Sequence, residues 1–279
     1  MDFRTPEGEQ RYADLLAVAH RTVVGLDFDG VLSPIVEDPA RAVIHPDGPA
    51  TLVALAARVR AVAVITGRPA RQAVALGSLD AVADDLPPES RLLVLGQYGN
   101  ERWDSTTRQF VTPPAPSGLA DFRRRLPDLL AGCAAADAYV EEKGLAVAVH
   151  TRRLPDPAGA FDRLFPVLAA AAREHGLGVE PGRLVVEVRA PGMHKGDAVR
   201  GVAAELDAGG FLFAGDDLGD IEAFRAVASL RGQGMPGLLV CSGSQEQQAL
   251  VELADVVVDG PAGVLDLLRA LTAAATPPR

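Results

Sequence analysis

Two carboxylates stand two residues apart in Leu26-Asp27-Phe28-Asp29-Gly30, directly after the apolar run Thr22-Val23-Val24-Gly25. A short β-branched run closed by glycine reads as a buried strand, and packing gives such a strand no reason to end in acids. Side chains alternate along a strand, so Asp27 and Asp29 project to one side while Phe28 turns into the core between them. Close carboxylates repel each other, and a divalent cation or a shared proton relieves the repulsion. Taken alone, Asp-Phe-Asp-Gly is as good a turn as a site. Three other places change that reading: Thr66-Gly67-Arg68 after the run Ala61 to Ile65, Lys195 at the start of a helix, and Asp216-Asp217 after Phe211 to Ala214.

One chemistry gives every member of this set a task. A carboxylate that attacks a phosphoryl group forms an aspartyl-phosphate and divides one difficult hydrolysis into two displacements. Asp27 is the expected nucleophile. Two anions approach only when their charge is neutralised, which calls for a hard cation with oxygen ligands; Mg²⁺ held by Asp27, the Asp29 carbonyl and Asp216 would provide this, with Asp217 and Asp220 steadying it from behind. Lys195 supplies a positive charge to the nucleophile and the phosphoryl oxygens, and Thr66 donates a hydrogen bond to one of them. Thr66, Gly67, Arg68 and the free N–H groups of a helix entered near Pro69 make the expected phosphate site, together with Lys195. Asp29 protonates the leaving alcohol and then takes a proton from the water that opens the acyl-phosphate.

The elements that carry these residues read as an α/β fold. The spacing predicts a helix over Gln10 to His20, the strand that delivers Asp27, a proline-punctuated loop over 33–39, a helix from Pro49 to Arg60 and a parallel strand over 61–65. A third strand begins at Arg91 and continues through Gln97 to Trp103. Thr112-Pro113-Pro114-Ala115-Pro116 then reads as a stiff linker. Beyond it, helices over 119–130 and 158–175 alternate with strands over 138–142, 145–151, 177–180 and 184–189, a small α+β unit with an antiparallel sheet. Parallel logic resumes with a helix over 196–206, a strand over 211–214 and further elements including a helix near Gln245 to Leu253; Thr276 to Arg279 reads as a frayed end. The expected domains are a Rossmann-like parallel-sheet core, residues 1–112 and 191–279, and a smaller inserted α+β cap, residues 113–190.

Composition excludes several classes. The chain has 279 residues, 48% of them hydrophobic and 23% charged, with a net charge of −10, ordinary for a globular protein but repulsive to a nucleic-acid backbone. Cys133 and Cys241 form no metal or disulfide pattern. There is no HExxH, P-loop or GxGxxG, and no apolar run of membrane-spanning length. We expect a cytoplasmic monomer that acts on a small molecule, with neither nucleic acid nor membrane as partner.

Asp27-Phe28-Asp29-Gly30-Val31, the strand ending in Thr66-Gly67-Arg68, His194-Lys195-Gly196, and Gly215-Asp216-Asp217 followed by Asp220 occur in an order that resembles the four motifs of the haloacid dehalogenase superfamily. Within it, the run from Leu26 to Val36 with Pro39 and Ala42, Tyr98-Gly99-Asn100-Glu101, and Gly215 to Phe224 resemble the trehalose-6-phosphate phosphatases. In the insert the resemblance rests on Glu141-Glu142-Lys143, on Ala148-Val149-His150-Thr151-Arg152 and on Val186-Glu187-Val188-Arg189. It implies a Mg²⁺-dependent phosphatase of trehalose biosynthesis, with Asn100, Glu141, Lys143 and Glu187 holding the sugar. The chain departs from the family at Gly219-Asp220-Ile221, where Thr-Asp-Glu is commoner, and at Thr151, where an aromatic residue is commoner.

Read from spacing, Glu141 and Lys143 share one face of a strand, as do Glu187 and Arg189. Such a face is either solvated charge or a surface for hydroxyl groups. Hinges at Pro113-Pro114 and Pro191-Gly192 would let the insert close over a disaccharide. Three alternatives remain at this level: a capped phosphatase or mutase for another sugar phosphate, a phospho-acceptor signalling domain of the receiver type, and a catalytically dead sugar-phosphate-binding relative.

Overall fold

The protein is described from a computed structural model, which covers residues 2–36, 38–182, 184–243 and 248–275. The strands in chain order are β1 (Asp2–Phe3), β2 (Thr22–Leu26), β3 (Ala61–Ile65), β4 (Leu92–Gly96), β5 (Glu101–Asp104), β6 (Phe110–Val111), β7 (Tyr139–Glu142), β8 (Ala146–His150), β9 (Gly178–Gly182), β10 (Val185–Arg189), β11 (Gly210–Gly215), β12 (Gly237–Gly243) and β13 (Val256–Asp259). The α-helices are α1 (Pro6–Ala17), α2 (Gly48–Ala56), α3 (Ala70–Leu76), α4 (Leu79–Asp84), α5 (Leu119–Gly132), α6 (Pro157–Glu174), α7 (Lys195–Glu205), α8 (Ile221–Gly232), α9 (Gln248–Leu253) and α10 (Gly260–Ala274). Two compact units result: Met1–Thr112 with His194–Arg279, and Pro113–Met193.

The first unit is built on a sheet of order β1-β13-β12-β11-β2-β3-β4-β5-β6. Pairing is parallel from β13 to β4 and antiparallel at both edges. β2 lies inside, between β11 and β3, and all five of its residues are buried. That is the environment a continuous apolar run requires. Its side chains alternate between two cores: Val24 and Leu26 join α2, α4 and α10 on one face, while Val23 joins α7 and α8 on the other. Phe28 continues into the first of these and is fully buried. Ligands in such a sheet collect beyond the carboxyl ends of the strands, where β2, β3 and β11 deliver Asp27, Thr66 and Asp216.

The second unit is an antiparallel sheet of order β7-β8-β10-β9. Val147, Val149, Val186 and Val188 face Phe122, Leu126 and Leu130 of α5 and Leu164 and Leu168 of α6. Alternation therefore sends Ala146, Ala148, Glu187 and Arg189 to the opposite face. None of the described helices is long and apolar enough to cross a membrane.

Several elements differ from the sequence expectation for local reasons. α1 starts at Pro6 rather than Gln10, because Thr5 caps it, its hydroxyl accepting from the Gly8 N–H at 3.2 Å. The third strand does not run through to Trp103. Gln97 and Tyr98 take positive φ values of 49° and 61°, and the chain turns back so that β5 pairs antiparallel with β4. The turn's signal lies just beyond them, in Gly99 at φ 103° and Asn100, while the two residues that open it, neither a glycine, carry none. The helix after Pro69 has only seven residues, and α4, not anticipated, follows it. Residues 244–247, at the expected start of the helix near Gln245, and Thr276 to Arg279 lie outside the described residues.

Gly96 is fixed by close approach. A Cβ there would lie 2.7 Å from the Ala70 Cα and 2.8 Å from the Arg68 carbonyl oxygen, so the end of β4 and the entrance to α3 touch through backbone. Gly96→Ala should therefore destabilise the protein by about 1–3 kcal/mol, the usual cost of overpacking, read as a lower denaturant midpoint with unchanged slope. An unchanged midpoint would show that the entrance to α3 yields freely.

Candidate active site

Asp27 follows the last residue of β2, and its N–H donates to the Ala214 carbonyl of β11 at 2.9 Å. Its Oδ1 accepts from the Phe28 N–H at 2.7 Å, and its Oδ2 lies 2.8 Å from Lys195 Nζ. Lys195 is the first residue of α7 and is 3% exposed. The same ammonium donates to Asp220 Oδ1 at 2.7 Å. The other Asp220 oxygen accepts from the backbone N–H groups of Asp216 and Asp217, at 3.0 and 3.4 Å. Asp220 thus ties the turn after β11 to the lysine that faces Asp27.

Oxygens of Asp27, Asp216 and Asp220 all lie within 4.8 Å of one another. The sequence placed Asp220 behind the metal ligands; the fold sets its carboxylate beside theirs. Gly30, at φ +70°, makes room for this: a Cβ there would fall 2.8 Å from the Asp216 Cβ and closer still to its carboxylate. Ser242, which the sequence did not single out, donates to the Gly30 carbonyl at 2.6 Å and fixes that turn. Asp217 is exposed and serves locally, its Oδ1 accepting from the Gly219 N–H at 2.8 Å.

Burial and mutual repulsion dominate the electrostatics. Burial pushes the Asp27 carboxyl well above its usual range, and the charges of Asp220, Asp217 and Asp29 add to this against the opposing pull of Lys195. Burial and the charges of Asp27, Asp220 and Asp217 take Asp216 up to about 9. Burial alone would lower Lys195, but Asp220, Asp27 and Asp217 outweigh it and hold the lysine firmly protonated. One ammonium faces three carboxylates. An all-oxygen donor set with excess negative charge fits a hard divalent cation.

Thr66 directly follows β3 and is almost fully buried, and its hydroxyl accepts from the Arg68 N–H at 3.2 Å. A hydroxyl that accepts in this way still has its own proton to donate. The helix entrance beside it is not open in the way the sequence suggested. The Ala70 N–H already donates to Glu101 Oε2 at 2.6 Å, so the buried Glu101 of β5 caps α3. Gly67 lies under the Tyr98 ring, whose hydroxyl oxygen would be 2.9 Å from a Cβ at that position. The Arg68 side chain turns to Asp29, with two contacts of 2.7 Å to its carboxylate. Asn100 is exposed, and its Nδ2 donates to the Gln97 carbonyl at 2.8 Å.

A family model described as Trehalose-phosphatase matches residues 134–256. A probable trehalose-phosphate phosphatase of Sinorhizobium fredii is 34% identical over 212 residues, 74% of each chain. The chain belongs to the trehalose-phosphatase family. It is also 34% identical over 235 residues to a much longer Mycobacterium tuberculosis protein described as an uncharacterized glycosyl hydrolase, matching 80% of this chain and 17% of that one. The solved C-terminal domain of C. albicans trehalose-6-phosphate phosphatase superposes with a TM-score of 0.74, at 21% identity and 96% coverage of both chains, which shows the shared fold.

The part of the chain that the family model matches includes the second unit's polar sheet face. There Glu141 pairs with Ala148, Ala148 with Glu187, and Glu187 with Glu180, a row of three glutamates broken by one alanine. Lys143 Nζ donates to Glu187 at 2.6 Å, and Arg189 reaches both Glu187 at 3.2 Å and Glu180 at 3.0 Å. His150 Nε2 lies 2.9 Å from Glu141 Oε2. The face is a network of paired charges, not a set of separately solvated ones.

The raised Asp216 fixes the sign of a pH effect. Its carboxyl titrates near 9 when folded and at about 4 when unfolded, so between these values the folded chain holds a proton that the unfolded chain has lost, and stability falls as pH rises. In chelator the melting temperature should therefore decline from pH 5 to pH 9. Asp216→Asn, which resembles the protonated acid, should show a flatter profile and melt above the parent at pH 8. A divalent cation should raise the melting temperature of the parent and not of the variant. Parallel pH profiles would show that the three carboxylates are not crowded.

Proposed function

We propose that this chain hydrolyses trehalose 6-phosphate to trehalose and phosphate through an aspartyl-phosphate on Asp27. The observation that carries the reading is the Asp27–Lys195 pair at the centre of a three-carboxylate cluster, in a chain of the trehalose-phosphatase family. In the first displacement an Asp27 oxygen bonds to phosphorus, the ester P–O bond breaks, and Asp29 gives a proton to the departing sugar oxygen. In the second, a water oxygen bonds to phosphorus, Asp29 takes its proton, and the bond to Asp27 breaks. Lys195 stays within reach of Asp27 throughout, and the Thr66 hydroxyl donates to a phosphoryl oxygen where negative charge gathers.

Asp27, Asp216 and the Asp29 carbonyl, with Asp220 beside them, are the groups that would hold Mg²⁺. The ion, when bound, offsets the repulsion between carboxylate and phosphate and polarises the phosphoryl group. Glu141, Lys143 and Glu187 are assigned to the sugar remote from phosphorus. Fixed carboxylates and cations in register suit hydroxyl groups, which both donate and accept, and the charge-paired face favours this reading over one in which the face is merely solvated.

Phosphate release from trehalose 6-phosphate tests the reading directly. Excess chelator should abolish it, Mg²⁺ should restore it, and Ca²⁺, with its looser and higher coordination, should restore it poorly. Asp27→Asn should remain folded and lose turnover; substantial hydrolysis by this variant would sink the nucleophile assignment.

The sugar assignment is tested by a ratio within each variant. Lys143→Ala and Glu187→Ala should each lower kcat/KM for trehalose 6-phosphate by about 10- to 1000-fold, as expected for loss of charge-assisted hydrogen bonds. A small aryl phosphate, which has no second sugar to hold, should fall far less. Equal losses on both substrates would make these residues supports of the fold, and no loss on either would remove the basis for the trehalose assignment.

A further inference from the structure

Arg68 lies three residues beyond β3, and its side chain is committed to neighbouring protein groups. Nε donates to Asp29 Oδ2 and Nη2 to Asp29 Oδ1, each at 2.7 Å. Nη1 donates to the Pro39 carbonyl at 2.9 Å, and the guanidinium carbon lies 5.7 Å from the centre of the Phe28 ring. The arginine side chain is 10% exposed, whereas that of Asp29 is 38% exposed. The firmly held partner is therefore the arginine.

A planar fork gripping both carboxylate oxygens fixes the plane of that group as well as its distance. Asp29 needs such a grip. It lies past the end of β2, where its backbone makes only an isolated bridge to Ser33, and a half-exposed aspartate on irregular backbone has several rotamers open to it. We propose that Arg68 is the positioning residue for Asp29, holding its carboxylate in one orientation for both proton transfers, and that the Pro39 carbonyl holds Arg68 in turn. This inference rests on the phosphatase reading above and adds a task for a residue that the sequence assigned to phosphate.

The fork and the chemistry are compatible. Each carboxylate oxygen has two lone pairs, and the fork engages one on each. The other pair can carry the proton that passes to the ester oxygen as the P–O bond breaks, and can then accept the proton of the attacking water. The Pro39 contact extends the device to the loop over 33–39. Pro39 opens a single 3-10 turn, Pro39–Arg41, whose cap Asp38 accepts from the Ala40 N–H at 3.1 Å. Pro39 therefore has a structural task, which is to fix the arginine that fixes the acid.

Positioning of a general acid and ligation of phosphate have different kinetic signatures, because an acid matters most when the leaving group is poor. The test compares the protein with Arg68→Met and Arg68→Lys on a series of aryl phosphates from p-nitrophenyl to phenyl, with inorganic phosphate as inhibitor and Mg²⁺ present. Thermal melts of all three verify folding. Arg68→Met should lose about 30-fold or more in kcat/KM on phenyl phosphate, part of the usual contribution of a positioned acid, and about threefold on the p-nitrophenyl ester. Sensitivity to the leaving group should steepen accordingly, while the inhibition constant of phosphate moves less than threefold. Arg68→Lys, which keeps the charge but not the fork, should fall between. A uniform loss across the series with a phosphate inhibition constant raised more than tenfold makes Arg68 a phosphate ligand and overturns the proposal. A uniform loss that follows the melting temperature makes it structural and overturns it equally. Absence of turnover by the unmodified protein on every ester would instead overturn the phosphatase reading beneath it.

Discussion

The site depends on a charge imbalance that the fold creates and does not correct. Asp27, Asp216 and Asp220 are buried together with one ammonium, that of Lys195. A buried ion pair with a partner missing is among the costliest arrangements a protein can hold, and here three carboxyl groups share a single ammonium. The surrounding structure is organised to keep the groups together despite this. Backbone N–H groups grip Asp220, the absent side chain of Gly30 admits Asp216, and the first residue of a helix supplies the lysine. Negative charge concentrated in this way suits the site to a divalent cation.

The parallel sheet makes this concentration possible. β2 and β11 are adjacent, so the acids that follow them meet without any long side chain having to reach. β3 on the other side of β2 brings Thr66 and Arg68 to the same edge. Two arms then serve the pair Asp27 and Asp29: Lys195 holds the first, and Arg68 holds the second. The two carboxylates differ in surroundings as they differ in the tasks proposed for them, one buried against an ammonium and one half-exposed in a guanidinium fork.

Much of this was legible in the amino-acid sequence, and the limits have physical causes. Asp27, Thr66, Lys195 and Asp216 could be singled out because each is a polar residue directly after an apolar run or at a helix start, where packing has no use for it. The core and the insert could be separated because a change of rhythm and a proline cluster lie between them. The Asp29–Arg68 fork was not legible, since nothing in spacing says whether an arginine after a strand will face a ligand or a neighbouring side chain. Glu101 escaped notice as the cap of α3 because it is 31 positions from the N–H it accepts from. The opening of the turn at Gln97 and Tyr98 was hidden because residues with side chains occupy positive φ there, ahead of Gly99. Long-range partnership, not residue type, decided the fork and the cap.

The route of the chain through the first sheet has a consequence for synthesis. Val24 of β2 lies against Val62 of β3 on one side and Leu212 of β11 on the other, so one partner leaves the ribosome soon after β2 and the other only after the whole of Pro113–Met193 has passed. Until β11 emerges, apolar β2 lacks the partner for one of its two sides. Exposed edges of this kind recruit other chains, and non-local pairing is slow to form. The inserted unit, which carries its own core, can complete itself within the delay. Slower translation of the segment just after it would lengthen the exposure of β2, and yield of active protein should be more sensitive to pausing there than anywhere else along the chain.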